Sequence, residues 1–405
     1  MQEEVASFGP LPRLPWTFAP VEVAAALCSE PGFVFFDTAT PAIEGVSIIA
    51  TNPTEVLRGS IWEDRHIDAL RRAAGALVTG GLFGSVDFNG RFVFGVYPQV
   101  AVFRHRDAVW MGNLAEPAGE RNGARFSIGT FEPKTTRPDF VRAVLRAKDY
   151  IAAGDIYQVC LAYRFEAPAS GCPWAFYEAL RHHSPAPLAA YINLDDRVVA
   201  SASPETFLRM EGRRILTRPI KGTRPRSAEP ASDIALATEL RTSAKENAEL
   251  TMITDLERND LGRVCEFGSI RVREQNVLER FAQVHHLVST IEGTLRAGVG
   301  HLDALRACYP GGSISGAPKK RALEIIAELE PHPRGLYTGA MGYLGVGGVS
   351  QFNIAIRTAV FESGKATFHT GAGIVADSDP ESEWEETRTK ASGLLAAATA
   401  CRSDP

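Results

Sequence analysis

The residue with the clearest chemical potential in this 405-residue chain is Lys221. It lies in the octapeptide PIKGTRPR, directly before a glycine at the end of an apolar strand pattern. Partial burial beside the cations Arg218, Arg224 and Arg226 would lower the pKa of its ammonium group and free the amine for nucleophilic attack. The alternative is a solvated loop lysine among arginines.

The segment before Lys221 predicts a carboxylate beside it. RVVASASPETFLRM predicts a strand, EGR a turn and RILTRPIKG the returning strand. A turn centred on Gly212 places Ser203 opposite Lys221, with Glu205 nearby. A register change of one residue would move these side chains to the opposite face.

The segment DPESEWEETRTK predicts a helix with charged side chains on one face. Glu383, Glu386 and Lys390 are spaced i, i+3 and i+7, so two carboxylates and one ammonium group align. Carboxylate oxygens suit Mg²⁺, which takes the rest of its ligands from water or an anionic substrate. A solvated helix surface is the alternative interpretation.

A second candidate carboxylate lies in the predicted helix KENAELTMITDLERND. Glu249 borders the apolar stripe that Leu250, Met252, Ile253 and Leu256 form. A glutamate at such a border needs a partner. A metal ion and a structural arginine are both candidates.

The segment QFNIAIRTAVF predicts a strand on which Arg357 shares a face with Asn353 and Ala355. The hairpin that follows ends in Gly371-Ala372-Gly373. Small residues there would let backbone N–H groups approach an anion closely. The G-A-G signal is weak by itself, because no dinucleotide-binding βαβ pattern follows it.

Composition favours an ordinary globular protein. Hydrophobic residues make up 45% and charged residues 22%, with a formal charge of -5, so no nucleic-acid partner is expected. The six cysteines are scattered without a C-x-x-C pair, which predicts neither a disulfide framework nor a zinc site and fits a reducing cytoplasm. No long apolar run predicts a membrane span, and the N-terminus has no secretory signal pattern.

The element pattern predicts an α+β fold. Residues 1–130 read as short strands with turns, and a helix is predicted from Arg137 to a stop at Gly154. Further helices are predicted at 233–258, 302–308, 319–330 and 382–399, with strands in TGAMGYLGVGG and 351–376. Long antiparallel hairpins between isolated helices indicate α+β rather than a doubly wound sheet.

An ordered set of blocks resembles the chorismate-utilising enzymes. These blocks are GDIYQV (154–159), SASPE (201–205), PIKGTRPR (219–226), ENAELTMITDLERNDLGRV (246–264), HHLVS (285–289), GGSISGAPK (311–319), AIRTA (355–359) and GAGIVADSDPESE (371–383). The resemblance implies two large antiparallel β-sheets packed as a sandwich, helices outside and an active site between them. Residues 1–130 would complete the sheets, and 131–405 would form the chorismate-binding catalytic region.

Two positions indicate a branch within that family. Lys221 resembles the P-I-K-G-T block of aminodeoxychorismate synthase component I, where anthranilate synthase large subunits carry alanine. Gln158 stands where isochorismate and salicylate synthases carry a water-activating lysine, which implies ammonia as the nucleophile. No glutaminase block is present, so a separate glutamine amidotransferase subunit is expected. Anthranilate synthase component I and a noncatalytic chorismate-binding subunit remain alternatives.

The resemblance also implies roles for individual residues. Lys221 would attack C2 of chorismate while Glu205 acts as general acid at the C4 hydroxyl. Mg²⁺ would be held by Glu249 and Glu386, with Glu383 close or acting through water. The substrate-binding residues would be Gly222, Thr223, His286, Tyr337, Arg357, Gly371, Ala372, Gly373 and Lys390; for His286, a packed core histidine is the alternative.

Tryptophan-regulated anthranilate synthases carry an N-terminal L-L-E-S block and an N-P-S-P-Y-M type block. In this chain SPAPLAAY (184–191) takes the place of the second block, and the first has no counterpart. Feedback inhibition by tryptophan is therefore expected to be absent. A vestigial tryptophan-binding pocket is the alternative.

Overall fold

The computed structural model describes residues 8–40, 45–117, 125–281 and 284–402. In this described part the helices are α1 (Pro20–Leu27), α2 (Asp64–Ala76), α3 (Arg137–Ala152), α4 (Trp174–His183), α5 (Pro230–Thr242), α6 (Ala244–Gly262), α7 (His301–Cys308), α8 (Lys319–Leu329) and α9 (Pro380–Ala400). The strands are β1 (Val34–Asp37), β2 (Val46–Ala50), β3 (Glu55–Ser60), β4 (Gly81–Val86), β5 (Arg91–Tyr97), β6 (Ala101–Arg104), β7 (Val109–Gly112), β8 (Phe126–Ile128), β9 (Glu132–Pro133), β10 (Gln158–Gly171), β11 (Leu188–Leu194), β12 (Arg197–Ser203), β13 (Thr206–Glu211), β14 (Arg214–Arg218), β15 (Ile220–Pro225), β16 (Arg271–Arg280), β17 (Val284–Thr294), β18 (Gly316–Ala317), β19 (Ala340–Gly345), β20 (Val349–Ile354), β21 (Thr358–Glu362) and β22 (Lys365–Ile374).

These strands form two antiparallel sheets. The 12-stranded sheet has the order β18-β10-β22-β21-β12-β11-β1-β2-β6-β7, with β8 and β9 also paired to β10. The 10-stranded sheet has the order β15-β17-β14-β13-β20-β19-β4-β5-β3, with β16 also paired to β17. The predicted α+β fold with two large antiparallel sheets is confirmed.

Three hydrophobic clusters hold the layers together. Val34 and Ile48 of the larger sheet pack with Phe83 and Met341 of the smaller sheet, so the two sheets share one inner core. The outer face of the larger sheet packs against α3, α4, α8 and α9, and that of the smaller sheet against α2, α6 and α7. Burial of apolar surface from both sides of each sheet is the main force that stabilises this arrangement.

Two segments cross from one sheet to the other side by side. The chain leaves β12 through Pro204 and Glu205 to enter β13, and it leaves β20 through residues 355–357 to enter β21. The Ile354 N–H donates to the Glu205 carbonyl oxygen at 3.0 Å, and the Ala202 N–H donates to the Arg357 carbonyl oxygen at 3.1 Å. These backbone bonds fix Glu205 and Arg357 at neighbouring points between the sheets.

The crossings correct two predictions. The hairpin around Gly212 is confirmed, with Thr206 opposite Arg218, but residues 197–210 are two strands in different sheets. Ser203 therefore pairs with Leu188, and the prediction that it faces Lys221 is wrong. Alternation of side chains along a segment gives no sign of which sheet each part of the segment joins.

The predicted helix at 233–258 is also two helices. Ser243 has an extended backbone that ends α5, and its hydroxyl accepts the Glu246 N–H at 3.3 Å to cap α6. The other predicted helices are present, and α3 begins with Thr136 as its capping residue. The cap satisfies a backbone donor that a helix start leaves unpaired.

The N-terminal strands lie in both sheets. β1 pairs with β11, and β4 pairs with β19, so this region adds strands to each sheet. The boundary near residue 130 stays a prediction. Among the described residues, no helix has both the length and the apolar character needed to cross a membrane.

Candidate active site

A cavity of about 510 Å³ opens beside the two crossings, between the sheets and helices α6 and α9. Every predicted catalytic, substrate-binding and metal-binding residue lines it: Glu205, Lys221, Gly222, Thr223, Glu249, His286, Tyr337, Arg357, Gly371, Ala372, Gly373, Glu383, Glu386 and Lys390. The fold thus gathers these residues in one place, while their individual roles stay predictions.

Lys221 projects from the edge strand β15 towards acidic groups. Burial lowers the pKa of its ammonium group, but nearby Cys160, Glu249 and Glu205 outweigh burial and leave the pKa raised. An ammonium group among carboxylates keeps its proton in the resting protein.

The arginines near Lys221 in sequence do not act on it as predicted. Arg218 pairs with Glu279, Arg224 donates to Glu239 at 2.9 Å, and Arg226 donates to Asp233 at 2.8 Å. The prediction that these cations lower the pKa of Lys221 is therefore wrong, because each is neutralised by its own acid.

Gly222 forms a bulge that sets the direction of its neighbours. It has φ +66°, and a Cβ there would lie 2.6 Å from Leu240 Cδ1, so a larger residue would be both strained and crowded. Past this bulge, Thr223 Oγ1 lies 2.9 Å from His286 Nδ1. Burial, with help from the Arg357 charge, lowers the pKa of His286 to about 4, so its ring is neutral at pH 7.

Glu205 is a buried acid, only 4% exposed. Burial raises the pKa of its carboxyl group, while the Ser313 hydroxyl and the Lys221 ammonium group act in the opposite direction. A raised pKa favours the protonated form that a general acid needs.

Arg357 lies at the second crossing rather than within a strand. Its φ of +51° is left-handed, so the predicted strand alternation with Asn353 and Ala355 is wrong at this position. Burial lowers the pKa of the guanidinium group, with Glu205 acting against that shift. The turn directs a partly buried positive charge into the cavity, where it could bind an anion.

Four carboxylates line the cavity from two helices, Glu246 and Glu249 on α6 and Glu383 and Glu386 on α9, and Lys245 lies between two of them. Lys245 Nζ lies 3.9 Å from Glu249 Oε1 on α6 and 3.5 Å from Glu383 Oε1 on α9. Ser378 Oγ donates to Glu383 at 2.7 Å, and Lys390 Nζ lies 2.7 Å from Glu386 Oε1. The carboxylates are therefore arranged around cations already.

This donor set fits a hard divalent cation. Carboxylate oxygens are the ligands that Mg²⁺ prefers, and the Lys245 ammonium group marks a cationic position between α6 and α9. Within the ranges that the structure describes, no three acidic, histidine or cysteine side chains converge closely enough to form a complete protein-only site. A bound cation would need further oxygen atoms from water or substrate.

The Gly371–Gly373 segment is the open end of β22. Its neighbour β10 pairs along this segment, whereas the pairing with β21 ends at Phe368. Lys390 Nζ donates to the Gly371 carbonyl oxygen at 3.2 Å. One edge of β22 therefore meets the cavity instead of another strand.

Gln158 lies behind this edge. A Cβ on residue 373 would lie 3.0 Å from Gln158 Nε2. The Gln158 side chain is fully buried, and its Oε1 atom has no hydrogen-bond partner. A buried carbonyl oxygen without a partner is costly, so a polar ligand that donates to it would be favoured.

Several cavity residues were not predicted from the sequence. They are Cys160, Lys245, Glu246, Arg334 and His369. Lys245 and Glu246 precede Glu249 by four and three residues, so helical spacing could have identified them. His369 stacks on Tyr337 with ring centroids 5.3 Å apart, which the sequence gives no means of foreseeing.

A second cavity of about 310 Å³ lies between the sheets and shares Pro204 and Ile220 with the first. Asp37 and Thr38 line one side, and Pro187 of the SPAPLAAY segment lines another. The presence of this cavity is no evidence for or against inhibition of the protein by tryptophan, so the absence of such inhibition stays a prediction.

Comparison with known proteins gives relatives of more than one activity. Anthranilate synthase component 1 of Thermus thermophilus is 49% identical over 71% of this chain and 61% of its own length. Aminodeoxychorismate synthase component 1 of Bacillus subtilis is 44% identical over 65% of this chain and 56% of its own length. The chain thus spans little more than half the length of these curated relatives.

Solved structures show the same fold. Anthranilate synthase component I from Streptococcus pneumoniae superposes with a TM-score of 0.75 at 30% identity, over 86% of this chain and 92% of that chain. MenF, the menaquinone-specific isochorismate synthase from Escherichia coli, superposes with a TM-score of 0.78 at 19% identity, over 96% of this chain and 93% of that chain. The family model for chorismate binding enzymes matches residues 97–396, so the chain belongs to the chorismate binding enzyme family.

Proposed function

We propose that the protein is an aminodeoxychorismate synthase component I, which converts chorismate and ammonia to 4-amino-4-deoxychorismate. The observation that carries this proposal is Lys221, which lines the cavity beside the buried acid Glu205. A side-chain amine at this point can attack the substrate ring, whereas the alanine found in anthranilate synthases cannot.

Lys221 and Glu205 can activate each other. Transfer of one proton from the ammonium group to the Glu205 carboxylate gives a neutral amine and a neutral acid together. The raised pKa of Glu205 supports that transfer, and the raised pKa of Lys221 opposes it in the resting protein. An arriving dianionic substrate changes the local charge, so the proton distribution of the complex differs from that of the free protein.

The first step forms a covalent bond to Lys221. Its amine attacks C2, the ring double bonds shift, and the C4–O bond breaks as Glu205 protonates the departing hydroxyl group. Water leaves. The product of this step is a ring attached to Lys221 through a secondary amine at C2.

The second step replaces that bond. Ammonia adds at C4, the double bonds shift back, and the Lys221 amine leaves C2. The Gln158 Oε1 atom supports this step, because it is buried without a partner near Lys221 and can accept an N–H from ammonia. The sum is chorismate plus ammonia to 4-amino-4-deoxychorismate plus water.

The charges of the cavity suit a dianionic ring. Arg357 and Tyr337 would receive the enolpyruvyl carboxylate, with Lys390 and the Gly371–Gly373 backbone as further donors. Gly222 and Thr223 would line the ring, and His286 would face C4. Glu249 and Glu386, assisted by Glu383, would hold Mg²⁺, which when bound neutralises and orients the ring carboxylate.

The proposal includes a protein partner and a location. We infer a separate glutamine amidotransferase subunit as the source of ammonia, in line with the designation "component 1" of the relatives. We also propose a cytoplasmic location and no nucleic-acid partner. The formal charge of -5 supports the second point.

Anthranilate synthase component I is the second candidate. The relatives with the highest identities, such as the 49% identical protein of Thermus thermophilus, carry that name. In that reaction ammonia itself would add at C2 and pyruvate would leave, so Lys221 would have no covalent role.

Intact-protein mass spectrometry separates these candidates. Protein mixed with chorismate and Mg²⁺ without ammonia, then quenched in acid, should carry a ring adduct that peptide mapping places on Lys221. The Lys221→Arg variant keeps the charge and should carry none. Absence of any adduct in the unmodified protein across quench times would count against the covalent route.

A further inference from the structure

Lys245 bridges two carboxylates of the candidate active site. Its Nζ lies 3.9 Å from Glu249 Oε1 on the same helix, α6, and 3.5 Å from Glu383 Oε1 on α9. The side chains of Glu249 and Glu383 are 12% and 3% exposed, whereas that of Lys245 is 48% exposed. The lysine therefore reaches two buried carboxylates from the solvent side. Its ammonium group is charged at pH 7, so it compensates part of their negative charge.

Neither carboxylate depends on Lys245 for its position. Glu249 follows Lys245 by four residues on α6, so the helix backbone sets the direction of its side chain. Ser378 Oγ donates to Glu383 Oε1 at 2.7 Å, which is a shorter contact than the one from Lys245. Lys245 thus supplies charge compensation to these two carboxylates rather than orientation.

The place of Lys245 in its helix is unfavourable for a cation. It is the second residue of α6, which begins at Ala244 after the capping residue Ser243. The first turn of a helix carries partial positive charge, so the helix dipole repels a lysine there. Attraction to Glu249 and Glu383 offsets that repulsion in the metal-free protein.

The other lysine beside these carboxylates is held more tightly. Lys390 Nζ lies 2.7 Å from Glu386 Oε1, and it also donates to the Gly371 carbonyl oxygen at 3.2 Å. Both contacts are shorter than those of Lys245, and the second one is to the backbone. Of the two lysines, Lys245 is therefore the easier one to displace.

We propose that Lys245 is a resident counter-ion, which holds the place of Mg²⁺ in the metal-free protein and withdraws into solvent when the ion binds. Mg²⁺ binds carboxylate oxygens at about 2.0–2.1 Å, so an ion on Glu249 or Glu383 brings two positive charges close to the ammonium group. Like charges at such a separation repel each other. A half-exposed lysine can turn its amine outward while its stem stays packed.

This inference rests on the proposed metal site but not on which product the protein forms. It assigns Lys245 the role of setting how tightly the site holds Mg²⁺. A lysine that instead positioned the two carboxylates would strengthen Mg²⁺ binding, so removal of its charge has opposite effects under the two roles.

Mg²⁺ binding to chelator-treated protein, measured by calorimetry without chorismate, tests the inference. Lys245→Met keeps an unbranched side chain and removes the charge. It should bind Mg²⁺ roughly 5- to 30-fold more tightly than the wild type, because the ion no longer competes with an ammonium group. Lys320→Met is the matched control, since Lys320 is also the second residue of a helix, α8, but is exposed and lies outside the cavity. It should bind Mg²⁺ as the wild type does.

A second measurement needs no variant. Wild-type protein is acetylated to a trace level with and without saturating Mg²⁺, and peptide mapping by mass spectrometry gives the rate at each lysine. The rate at Lys245, relative to that at Lys320 in the same sample, should rise when Mg²⁺ is present. The amine would then have left the carboxylates and become accessible to the reagent.

Equal or weaker Mg²⁺ binding by Lys245→Met would overturn the inference and leave the metal site standing. An unchanged rate of acetylation at Lys245 would do the same. If neither the wild type nor the variant binds Mg²⁺, the proposed metal site fails together with the inference. The reaction itself is decided separately, by the product formed from chorismate.

Discussion

Lys221 Nζ lies 3.3 Å from the point that a Cβ on residue 373 would occupy. Gly373 therefore lets the lysine and the open edge of β22 approach each other across the cavity. The same point is 3.0 Å from Gln158 Nε2, so one missing side chain leaves room for two functional groups. The position of the Lys221 amine thus depends on a residue more than a hundred positions later in the chain.

Gly373→Ala should displace the Lys221 amine without unfolding the protein, and on the proposed mechanism it should slow the reaction. The added methyl group meets the flexible ends of Lys221 and Gln158 rather than backbone atoms. A shift of the amine by a fraction of an ångström to one ångström should lower kcat by roughly 10- to 100-fold. Steady-state kinetics and thermal unfolding measure both effects.

Gly75→Ala is the matched control, because nothing lies within 4 Å of a Cβ at this helical position. It should leave kcat unchanged. Wild-type kcat in Gly373→Ala would show that the close approach has no catalytic importance.

Lys221→Ala should lose the covalent route. Formation of 4-amino-4-deoxychorismate should fall by about 100-fold or more, since nucleophile and proton donor act together. Residual turnover should shift towards anthranilate, because ammonia could then attack C2 directly. Chromatographic analysis of products from chorismate and ammonia measures this, and an undiminished C4 product would remove Lys221 from the mechanism.

Arg357→Gly separates charge from backbone strain. Glycine adopts the φ of +51° without penalty, so thermal stability should hold or increase. Loss of the guanidinium group should raise KM for chorismate by about 10- to 100-fold, because a charge-assisted hydrogen bond to a carboxylate contributes about 1.5–3 kcal/mol. An unchanged KM would place the substrate carboxylate elsewhere.

Mg²⁺ dependence should follow the cavity carboxylates Glu249, Glu383 and Glu386. Removal of divalent cations with a chelator should abolish activity, and Mg²⁺ should restore it. Glu249→Gln and Glu386→Gln should raise the Mg²⁺ concentration needed for half-maximal rate by roughly 10-fold or more. Glu385→Gln, on the same helix but outside the cavity, is the control and should match the wild type. Equal Mg²⁺ requirements in all three variants would argue against this site.

Glu257 should make stability depend on pH. Its carboxylate accepts a bond from Thr217 Oγ1 at 2.6 Å, and burial raises its pKa to about 8. In the unfolded chain its pKa is about 4.3. Between these values the unfolded state is ionised while the folded state stays protonated, so stability falls as pH rises from about 4.5 and levels off above about 8.

Glu257→Gln cannot ionise and should lack this fall. At each pH we compare the free energy of unfolding of Glu257→Gln with that of the wild type. The difference should be about 2–5 kcal/mol more favourable to the variant at pH 8.5 than at pH 4.5. Urea unfolding at the two pH values measures the gain. Parallel pH profiles for the two proteins would show that Glu257 does not titrate in this way.

Local patterns predicted most elements but not the sheet crossings. The helix periods at 302–308, 319–330 and 382–399 match α7, α8 and α9 closely, because each of these helices has a buried face. Pro204 signals an end of strand pairing at the first crossing, but neither it nor the sequence at residues 355–357 shows that the chain enters the other sheet. Glu205 and Arg357 owe their positions to those passages.

The charge environment of Lys221 was missed for a related reason. The arginines beside it in sequence pair with acids of their own, and the groups that act on it come from β10, α6, α9 and the first crossing. The helix break at Ser243 could have been found, because Ser243 and Glu246 have the spacing of a helix cap.

The most direct test of the account is the product that the protein forms from chorismate, ammonium ions and Mg²⁺. The account predicts 4-amino-4-deoxychorismate, identified by mass spectrometry and by conversion to para-aminobenzoate on addition of a lyase, with no release of pyruvate by this protein alone. Formation of anthranilate with an equal amount of pyruvate would contradict it.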